Sequence, residues 1–295
     1  MNIISIGEVL WDVFENAEHI GGATFNFSAH AALLGHNVVF VSAVGEDDRG
    51  QRALGRMDQL GLSTRHVRRT NEVATGHVTV FVDDAGQPDF TIHRPAAYDF
   101  PALSEADIKA ITALRPDWIY FGTLAQLSPQ VRGVTKRLLA TNPHAHRFYD
   151  VNLRKDSFHA PLIRELMERA SVLKINEDEV HKVLELLGEP RWSVEDFCRI
   201  CSKRYGWEGV CVTRGAAGCA VFLGGEYVES PGYTVEVVDT VGAGDAFAAA
   251  FIHGVNSKWP VPEIADFANR LGAFVASREG AVPHWTMEEL DALSR

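Results

Sequence analysis

Apolar segments rich in β-branched residues alternate with segments of helical periodicity along most of this 295-residue chain. The predicted strands cover residues 3–6, 38–44, 118–121, 147–151, 172–175 and 210–213. The predicted helices cover residues 25–34, 49–60, 105–114, 129–139, 161–168, 177–187 and 194–205. Strands without polar alternation are buried on both faces, so this pattern predicts a mostly parallel sheet covered by helices.

Near its C-terminus the chain departs from this alternation. Two short segments joined at Gly224 and Gly225 predict a β-hairpin that covers residues 219–223 and 226–228. Longer apolar segments after the hairpin predict helices at residues 246–255 and 261–277. We therefore expect an antiparallel pair of strands and two long helices to complete the α/β fold.

An earlier segment also interrupts the alternation of strands and helices. Residues 75–82 and 88–93 have alternating polarity on either side of a turn at 83–87. Because this hairpin has no place in the parallel sheet, we expect it to protrude as a small β-structure, paired with residues near 12–19. Such a sheet beside the strand ends would serve as a lid, and an ordinary surface hairpin is the alternative.

Composition limits the class of protein. With 46% hydrophobic residues, the chain can bury the core of one large α/β domain. A formal net charge of −11 argues against a nucleic-acid-binding surface, which needs clustered lysine and arginine. No apolar run approaches membrane-spanning length, and residues 1–7 predict a buried strand rather than a signal peptide.

The four cysteines lie in segments with helical and strand patterns, at positions 198, 201, 211 and 219. Cys198 and Cys201 have the spacing of half a metal site, but no second Cys/His pair follows at zinc-finger spacing. We therefore expect buried free thiols and a cytoplasmic protein.

Gly242, Ala243 and Gly244 precede Asp245 and an apolar helical segment. Small residues let the backbone run close to a ligand, and the first N–H groups of a helix lack acceptors within it. With the positive end of the helix dipole they form an anion site that has a carboxylate at its edge. Phosphoryl transfer to an alcohol needs such a site, with Asp245 as the general base. The alternative is that Asp245 only caps the helix.

Gly21 and Gly22 precede another helical segment, in which Asn26 lies about one turn from the start. The glycines free the backbone to approach a ligand, and the Asn26 amide both donates and accepts hydrogen bonds. Sugar hydroxyls also do both, so this segment is a candidate sugar-binding site. A turn followed by a core helix is the alternative.

Four motifs follow one another along the chain: Gly21, Gly22 and Asn26 with residues 44–50; Asn176 with Glu179; residues 212–218; and residues 239–247. Together they resemble the motifs of the ribokinase-like (PfkB) carbohydrate kinases. Their first and last members correspond to the N- and C-terminal signatures of that family. Because the matches keep chain order from Gly7 to Gly280, the resemblance covers essentially the whole chain.

The resemblance implies a single ribokinase-like domain over residues 1–295, an αβα sandwich with a mostly parallel central sheet. It also implies a β-sheet lid at about residues 12–20 and 75–99, ATP as the donor and a sugar hydroxyl as the acceptor. Asp245 would be the base, and the phosphoryl group would lie on Gly242, Ala243 and Gly244. Sugar hydroxyls would bind Asp12, Gly22 and Asn26.

The same resemblance implies nucleotide and metal sites. Asn176 and Glu179 would orient Mg²⁺ through water, although this pair also has the spacing of a helix capping box. The nucleotide would contact Thr213, Arg214, Gly215, Gly218, Gly244 and Asn269. Some family members bind a monovalent cation through an aspartate and backbone carbonyls. Asp239 and the turn at 278–284 are the matching positions, which makes K⁺ a candidate cofactor.

Two further features bear on the acceptor. Asp150, Asn152 and Arg154 resemble the Asp-x-Asn-x-Arg motif of bacterial fructokinases and 2-keto-3-deoxygluconate kinases. At the carboxyl end of a predicted parallel strand, they would face the ligand cleft. Arg94 resembles the lid arginine of fructokinases, which would reach over the sugar. Where that subgroup often has Leu-Trp after the motif arginine, residues 155–158 are Lys-Asp-Ser-Phe.

These features favour a fructokinase. The alternatives are a kinase for another small sugar or sugar acid (2-keto-3-deoxygluconate, ribose or tagatose), a nucleoside kinase, and a non-catalytic sugar-binding regulator. Exposed lid strands can pair between subunits, so a homodimer through the lid is a further hypothesis.

Overall fold

The structure, a computed structural model, describes residues 1–82 and 88–293. Within them the strands are β1 (Asn2–Ile6), β2 (Leu10–Val13), β3 (Glu18–Gly21), β4 (Asn37–Gly45), β5 (Val67–Thr70), β6 (Gly76–Val82), β7 (Pro88–Ile92), β8 (Trp118–Gly122), β9 (His146–Asp150), β10 (Val172–Asn176), β11 (Gly209–Thr213), β12 (Cys219–Leu223) and β13 (Glu226–Ser230). The helices are α1 (Ala23–Leu33), α2 (Asp48–Gln59), α3 (Glu105–Ala113), α4 (Thr123–Gln126), α5 (Pro129–Thr141), α6 (Ala160–Arg169), α7 (Glu177–Leu187), α8 (Val194–Tyr205), α9 (Ala243–Asn256), α10 (Val261–Ala276) and α11 (Met287–Asp291).

Nine of the described strands form the larger sheet, in the order β13-β12-β11-β10-β9-β8-β1-β4-β5. Neighbouring strands from β11 to β5 run parallel, and β12 and β13 add an antiparallel edge. The predicted mostly parallel sheet is therefore confirmed, as is the hairpin near the C-terminus.

Helices cover both faces of this sheet. Ile3 and Trp118 belong to an apolar cluster with residues of α1, α9 and α10. Their neighbours Ile4 and Ile119 belong to a second cluster with residues of α5, α6 and α7. Since successive side chains of a strand point to opposite faces, the two clusters lie on opposite sides of the sheet, which gives an αβα sandwich.

The second sheet has the strand order β3-β2-β6-β7. Strand β2 pairs with β6 in parallel and with β3 antiparallel, and β6 pairs antiparallel with β7. The predicted association of the hairpin with residues near 12–19 is thus confirmed, while the predicted turn at 83–87 lies outside the described residues. This four-stranded unit lies where the sequence predicts a lid, and it is called the lid sheet below.

Several details differ from the sequence prediction, among them the short helices α4 and α11, which the pattern did not predict. Helix α9 begins at Ala243, three residues before the predicted start, because Gly242 turns the chain at φ 82° and Gly244 and Asp245 form the first turn. The pattern placed the start at the first apolar residue, since glycine and aspartate have low helix propensity. Strand β5 was not predicted, because two of its four residues are arginines.

All four cysteines are buried and carry thiols rather than disulfides within the part of the chain that the structure describes, as predicted. In residues 1–82 and 88–293, no helix combines the length and apolar character needed to cross a bilayer.

Candidate active site

The turn Gly242–Gly244 and the first N–H groups of α9 form a cradle of backbone donors. The Ala243 N–H donates to the Thr240 carbonyl at 3.3 Å, and the Asp245 N–H donates to Gly242 O at 3.0 Å. Among the described residues, the N–H groups of Gly242 and Gly244 have no acceptor. The turn therefore offers two clearly free donors rather than the three that the sequence predicts.

Gly242 is required for the shape of this turn. Its φ of 82° is a conformation that L side chains rarely adopt, and an added Cβ would lie 2.3 Å from the carbonyl oxygen of Ala281. The segment around Ala281 therefore packs directly against the cradle.

Asp245 lies beside the cradle and is only 8% exposed. The Asn26 side-chain amide donates to its Oδ2 at 2.8 Å, so the two candidate sites meet although 219 residues separate them in the chain. Burial, reinforced by the negative charge of Asp150, raises the pKa of Asp245 to about 7, while Lys174 and Asn26 act in the opposite direction. A carboxyl group tuned to neutral pH is suited to accept and return a proton.

Asp150, at the end of β9, is 1% exposed and has both carboxylate oxygens engaged. Lys174 Nζ donates to them at 3.0 and 2.9 Å, and the Tyr120 hydroxyl donates to Oδ2 at 3.0 Å. Asp150 therefore lies beneath the site rather than facing the cleft openly. Sequence reasoning missed Lys174, although a lysine inside an otherwise apolar predicted strand indicates a buried partner carboxylate.

Arg154 lies on the exposed side of the same region. It has no ion-pair partner among the described residues, yet its charge acts on three carboxyl groups, those of Glu8, Asp12 and Asp245. Burial raises the pKa of both Glu8 and Asp12, and Arg154 partly offsets the increase. Carboxyl groups from the lid sheet, from the loop after β1 and from the first turn of α9 therefore all interact with Arg154.

The structure places the three other residues predicted to bind sugar in different settings. Gly22, the residue before α1, has φ 106°, and a Cβ there would lie 2.8 Å from the Glu8 carbonyl oxygen. Asn152 has a positive φ of 37° in the loop after β9. Arg94 is engaged elsewhere, because its guanidinium pairs with Asp99 and donates to a backbone carbonyl at 2.6 Å.

Glu8 is a second residue that sequence reasoning missed. It is 3% exposed, and its Oε1 accepts the Thr24 N–H at 3.4 Å, while Oε2 has no partner. The Asn26 Oδ1 atom also lacks a partner within the described residues. Buried acceptors without donors are unusual in a folded protein and indicate a place where a ligand hydroxyl can bind.

Asn176 and Glu179 form the capping box that the spacing allows. Asn176 Oδ1 accepts the Glu179 N–H at 2.8 Å, and Glu179 Oε2 accepts the Asn176 N–H at 3.0 Å. Glu179 Oε1 accepts the Leu153 N–H at 2.6 Å. Each carboxylate oxygen retains a second lone pair, so these hard oxygen donors fit a hydrated cation without loss of the cap.

The predicted nucleotide residues lie at the adjacent strand end. Thr213 is opposite Asn176 in the sheet register, and a Cβ on Gly218 would lie 2.1 Å from Ser230 O. Gly215 begins the short 3₁₀ turn that connects them. Two predicted contacts already have protein partners. Arg214 pairs with Glu229 at 2.9 Å, and the Asn269 amide donates to Ser230 O at 3.2 Å.

Asp239 and the turn at 278–284 are brought together, as the resemblance implies. The Asp239 carboxylate accepts the Val241 N–H at 2.9 Å and the Gly280 N–H at 3.3 Å. This aspartate therefore connects the two segments that flank the cradle.

A mostly parallel α/β sandwich with a second sheet, and a buried carboxyl group beside free N–H donors at a helix start, define a phosphotransferase that acts on an alcohol. The comparison with known families identifies the group. Residues 4–287 match the pfkB family carbohydrate kinases. The chain therefore belongs to this family and is a carbohydrate kinase.

Individual relatives are distant. A fructokinase from Escherichia coli is 27% identical over 276 residues, which cover 89% of this chain and 87% of the relative. An ATP-dependent ribose-1-phosphate kinase from Halopiger xanaduensis is 28% identical over 305 residues, 95% of this chain and 94% of the relative. Among solved structures, a fructokinase double mutant from Vibrio cholerae, with fructose, ADP and potassium bound, superposes with a TM-score of 0.83 at 22% identity, covering 99% of this chain and 97% of that one.

Proposed function

We propose that this chain is a fructokinase that converts D-fructose and ATP to fructose 6-phosphate and ADP. The observation that carries the proposal is the buried Asp245 carboxyl group next to the acceptor-free N–H groups of Gly242 and Gly244. A group with a pKa of about 7 is substantially ionised at neutral pH and can still accept a proton. Backbone donors fixed beside it can stabilise charge that develops on the transferred group.

In the proposed reaction, Asp245 accepts the proton of a primary hydroxyl as its oxygen attacks the γ-phosphorus in line. The bond from that phosphorus to the β–γ bridging oxygen breaks, and ADP leaves. The cradle donates hydrogen bonds to the equatorial oxygens. Asn26 holds Asp245 with its amide N–H and offers its unpartnered Oδ1 to a sugar hydroxyl, and Asp12 and the Gly22 backbone bind other hydroxyls.

The nucleotide is assigned to the strand ends and loops beside the cradle, with Thr213, Arg214, Gly215, Gly218, Gly244 and Asn269 as its contacts. Asn176 and Glu179 would hold Mg²⁺ through water, and that ion, when bound, neutralises charge on the phosphates. Arg214 and Asn269 also have protein partners, so we propose that these two residues hold the loops in place as well as contacting the nucleotide.

A monovalent cation fits the same region. The contact of Asp239 with Gly280 lies next to the cradle, and the Vibrio cholerae fructokinase binds potassium. We therefore expect initial rates to be higher in K⁺ than in Na⁺ at equal ionic strength. Equal rates in the two salts would remove K⁺ from the proposal.

Fructose is the proposed acceptor because the Escherichia coli relative is a fructokinase and the lid sheet carries Asp12 beside the site. One observation favours a second candidate. Arg154 has no ion-pair partner among the described residues, and an unpaired guanidinium is suited to a carboxylate or phosphate on the acceptor. A sugar acid or a sugar phosphate is therefore the alternative acceptor. Asn152 would contact either kind, whereas Arg94 could do so only if its pair with Asp99 opened.

The acceptor is tested by a screen of ADP release over fructose, tagatose, ribose, 2-keto-3-deoxygluconate, ribose 1-phosphate and nucleosides. We expect the highest kcat/KM with fructose. A preference for an anionic sugar that is lost in Arg154→Met would establish the alternative, and a preference for a nucleoside would overturn both. Absence of sugar-dependent ADP release would favour a non-catalytic sugar-binding protein.

The base is tested with Asp245→Asn, which keeps the shape of the side chain and removes its ability to accept a proton. We expect turnover to fall by about 10²–10⁴-fold, with the sugar dissociation constant within a few-fold of the wild-type value. Glu195→Gln, on the exposed surface of α8, is the control and should keep full activity. Near-normal turnover of Asp245→Asn would reject the proposed base.

We also propose that the chain is one ribokinase-like domain, that its lid, at about residues 12–20 and 75–99, closes over the sugar, and that it acts in the cytoplasm. Closure would exclude water that otherwise hydrolyses ATP. Phe81 and Phe90 of the lid sheet are 69% and 45% exposed, which supports a homodimer through this sheet. Sedimentation of Phe81→Ser beside the wild type tests the dimer, since the variant should shift toward monomer.

A further inference from the structure

Lys174 is a buried cation at the centre of the larger sheet. Its side chain is 8% exposed, and it extends from β10 between the fully buried Leu173 and Ile175. Its ammonium donates to both carboxylate oxygens of Asp150 at 3.0 and 2.9 Å. Lys174 thus has one fixed position, held by a carboxylate that the Tyr120 hydroxyl also anchors.

This position lies directly beside the cradle. A Cβ built on Gly244 would be 3.3 Å from Lys174 Nζ, so the ammonium adjoins the first turn of α9. In a helix the Cα–Cβ direction tilts toward the N-terminus, the end where the free N–H groups lie. The ammonium therefore approaches the same end of α9 at which an anion would bind.

The charges around Asp245 show what Lys174 balances. Asp150 on β9 faces Asp245 with like charge, and Lys174 on β10 and Arg154 after β9 face it with opposite charge. Tyr120 on β8 adds a neutral hydroxyl, and on the α1 side the neutral Asn26 amide donates a hydrogen bond to Asp245. Lys174 also acts on Glu179, so this buried cation interacts with the carboxyl groups of Asp150, Asp245 and Glu179.

Fold stability alone does not account for the buried Lys174–Asp150 ion pair. Replacement of a buried ion pair by apolar residues of similar volume is often neutral or stabilising, because two charges lose their hydration. The position of the Lys174–Asp150 pair, under the free N–H of Gly244 and next to Asp245, suggests a role in the reaction.

We propose that Lys174, held by Asp150, is a positioning residue of the phosphoryl-transfer site that balances the carboxylates beneath the cradle and stabilises the terminal phosphoryl group of the bound nucleotide. The inference rests on the proposed function of Asp245 as base. It assigns the buried ion pair, rather than Asp150 alone, to the site.

The pH dependence of kcat/KM tests the balance of charge, because single substitutions unbalance it in opposite directions. Lys174→Met leaves Asp150 unopposed, so the acidic limb of the profile should move up by about one pH unit or more. Asp150→Asn leaves the ammonium unopposed, so the limb should move down. Lys174→Arg keeps the charge and should stay closest to the wild type.

The double variant Lys174→Met with Asp150→Asn removes both charges and leaves no unpaired ion in the core. Its acidic limb should return to within about half a pH unit of the wild type, even if turnover stays low. A purely structural role would shift the profiles of Lys174→Met, Asp150→Asn and the double variant alike, or would shift none of them, and either result would overturn the inference. The double variant also keeps the test valid if a single variant folds poorly.

Nucleotide binding supplies a second readout. Calorimetry with ADP and with a non-hydrolysable ATP analogue should show that Lys174→Met loses about tenfold in affinity for the analogue and much less for ADP. Equal losses for both nucleotides would contradict a contact with the terminal phosphoryl group. If Asp245→Asn kept normal turnover, the proposed base would fail. If Asp245→Asn were inactive while the profiles of the Lys174 and Asp150 variants did not move, only the present inference would fail.

Discussion

Asp245 has a raised pKa, which supports its proposed catalytic role and also has a cost to the fold. Its folded-state pKa of about 7 lies above the ordinary value of 3.8, so the ionised carboxylate is less favourable in the folded protein than in the unfolded chain. The stability contributed by the protonated form is complete below about pH 4 and is lost as the pH rises through 7. The same burial that suits Asp245 to the proposed role of base at neutral pH therefore destabilises the fold at alkaline pH.

Asp245→Asn should consequently be more stable than the wild type at pH 8, by on the order of 2–4 kcal/mol. The difference in the free energy of unfolding should shrink below pH 7 and nearly vanish by pH 4, because both side chains are then neutral. Urea unfolding at four pH values measures it. A difference independent of pH would show that the Asp245 carboxyl group titrates normally.

Alanine substitutions at Gly242 and Gly35 can separate the effect of backbone strain from that of steric overlap. Both have positive φ, 82° and 83°, but a Cβ on Gly242 would lie 2.3 Å from Ala281 O, whereas a Cβ on Gly35 would meet nothing within 4 Å. Alanine at either position should cost about 1–2 kcal/mol of stability for its left-handed conformation. Only Gly242→Ala should also lose turnover, by at least about tenfold, since the cradle must move. Steady-state kinetics of both variants, beside their unfolding curves, checks this.

At the scale of elements, the sequence predicts the strands and helices that follow a periodic pattern, but it does not predict which side chains form ion pairs. The buried parallel strands and their helices follow from periodicity, and the structure brings Asn26 and Asp245, from two separate motifs, within hydrogen-bond distance. Arg94 and Lys174 show the limit. The partner of Arg94 is Asp99, and that of Lys174 is Asp150 on the neighbouring strand. No periodic pattern specifies which carboxylate a cation will meet, because register and crossover order decide it.

The N-terminus of α7 is an element whose cap and proposed ligand role can be separated. Asn176→Ala removes a side-chain acceptor for the Glu179 N–H, and Ser193→Ala does the same at α8, where Ser193 accepts the Asp196 N–H at 3.1 Å. Each should lower the free energy of unfolding by about 1 kcal/mol. Only Asn176→Ala should raise the Mg²⁺ concentration needed for half-maximal rate. Equal metal dependence in both variants would leave Asn176 with a capping role alone.

At the scale of the molecule, strand order assembles the site. Glu8 follows β1, Asp150 ends β9, Asn176 ends β10 and Thr213 ends β11. These strands belong to one parallel stretch of the larger sheet, so their carboxyl ends lie at one edge, where open α/β sheets bind ligands. Helix α9 then supplies Asp245 from the other end of the chain, which makes the site dependent on the whole fold being formed.

The reactivity of the cysteines tests whether the site depends on the whole fold. All four are buried, and burial raises the pKa of Cys198 and of Cys201 to about 12, so a thiol reagent should label them only when the protein opens. Cys198 and Cys201 lie on α8, whereas Cys211 and Cys219 lie on β11 and β12. Since we expect these elements to open only together, when the whole fold opens, all four thiols should react at a single rate. Fructose with a non-hydrolysable ATP analogue, each at about 100 times its dissociation constant, should slow that rate by about 100-fold or more, since the ligands bind only the folded state. Rapid labelling of α8 alone, unaffected by ligands, would show instead that this helix opens separately from the active site.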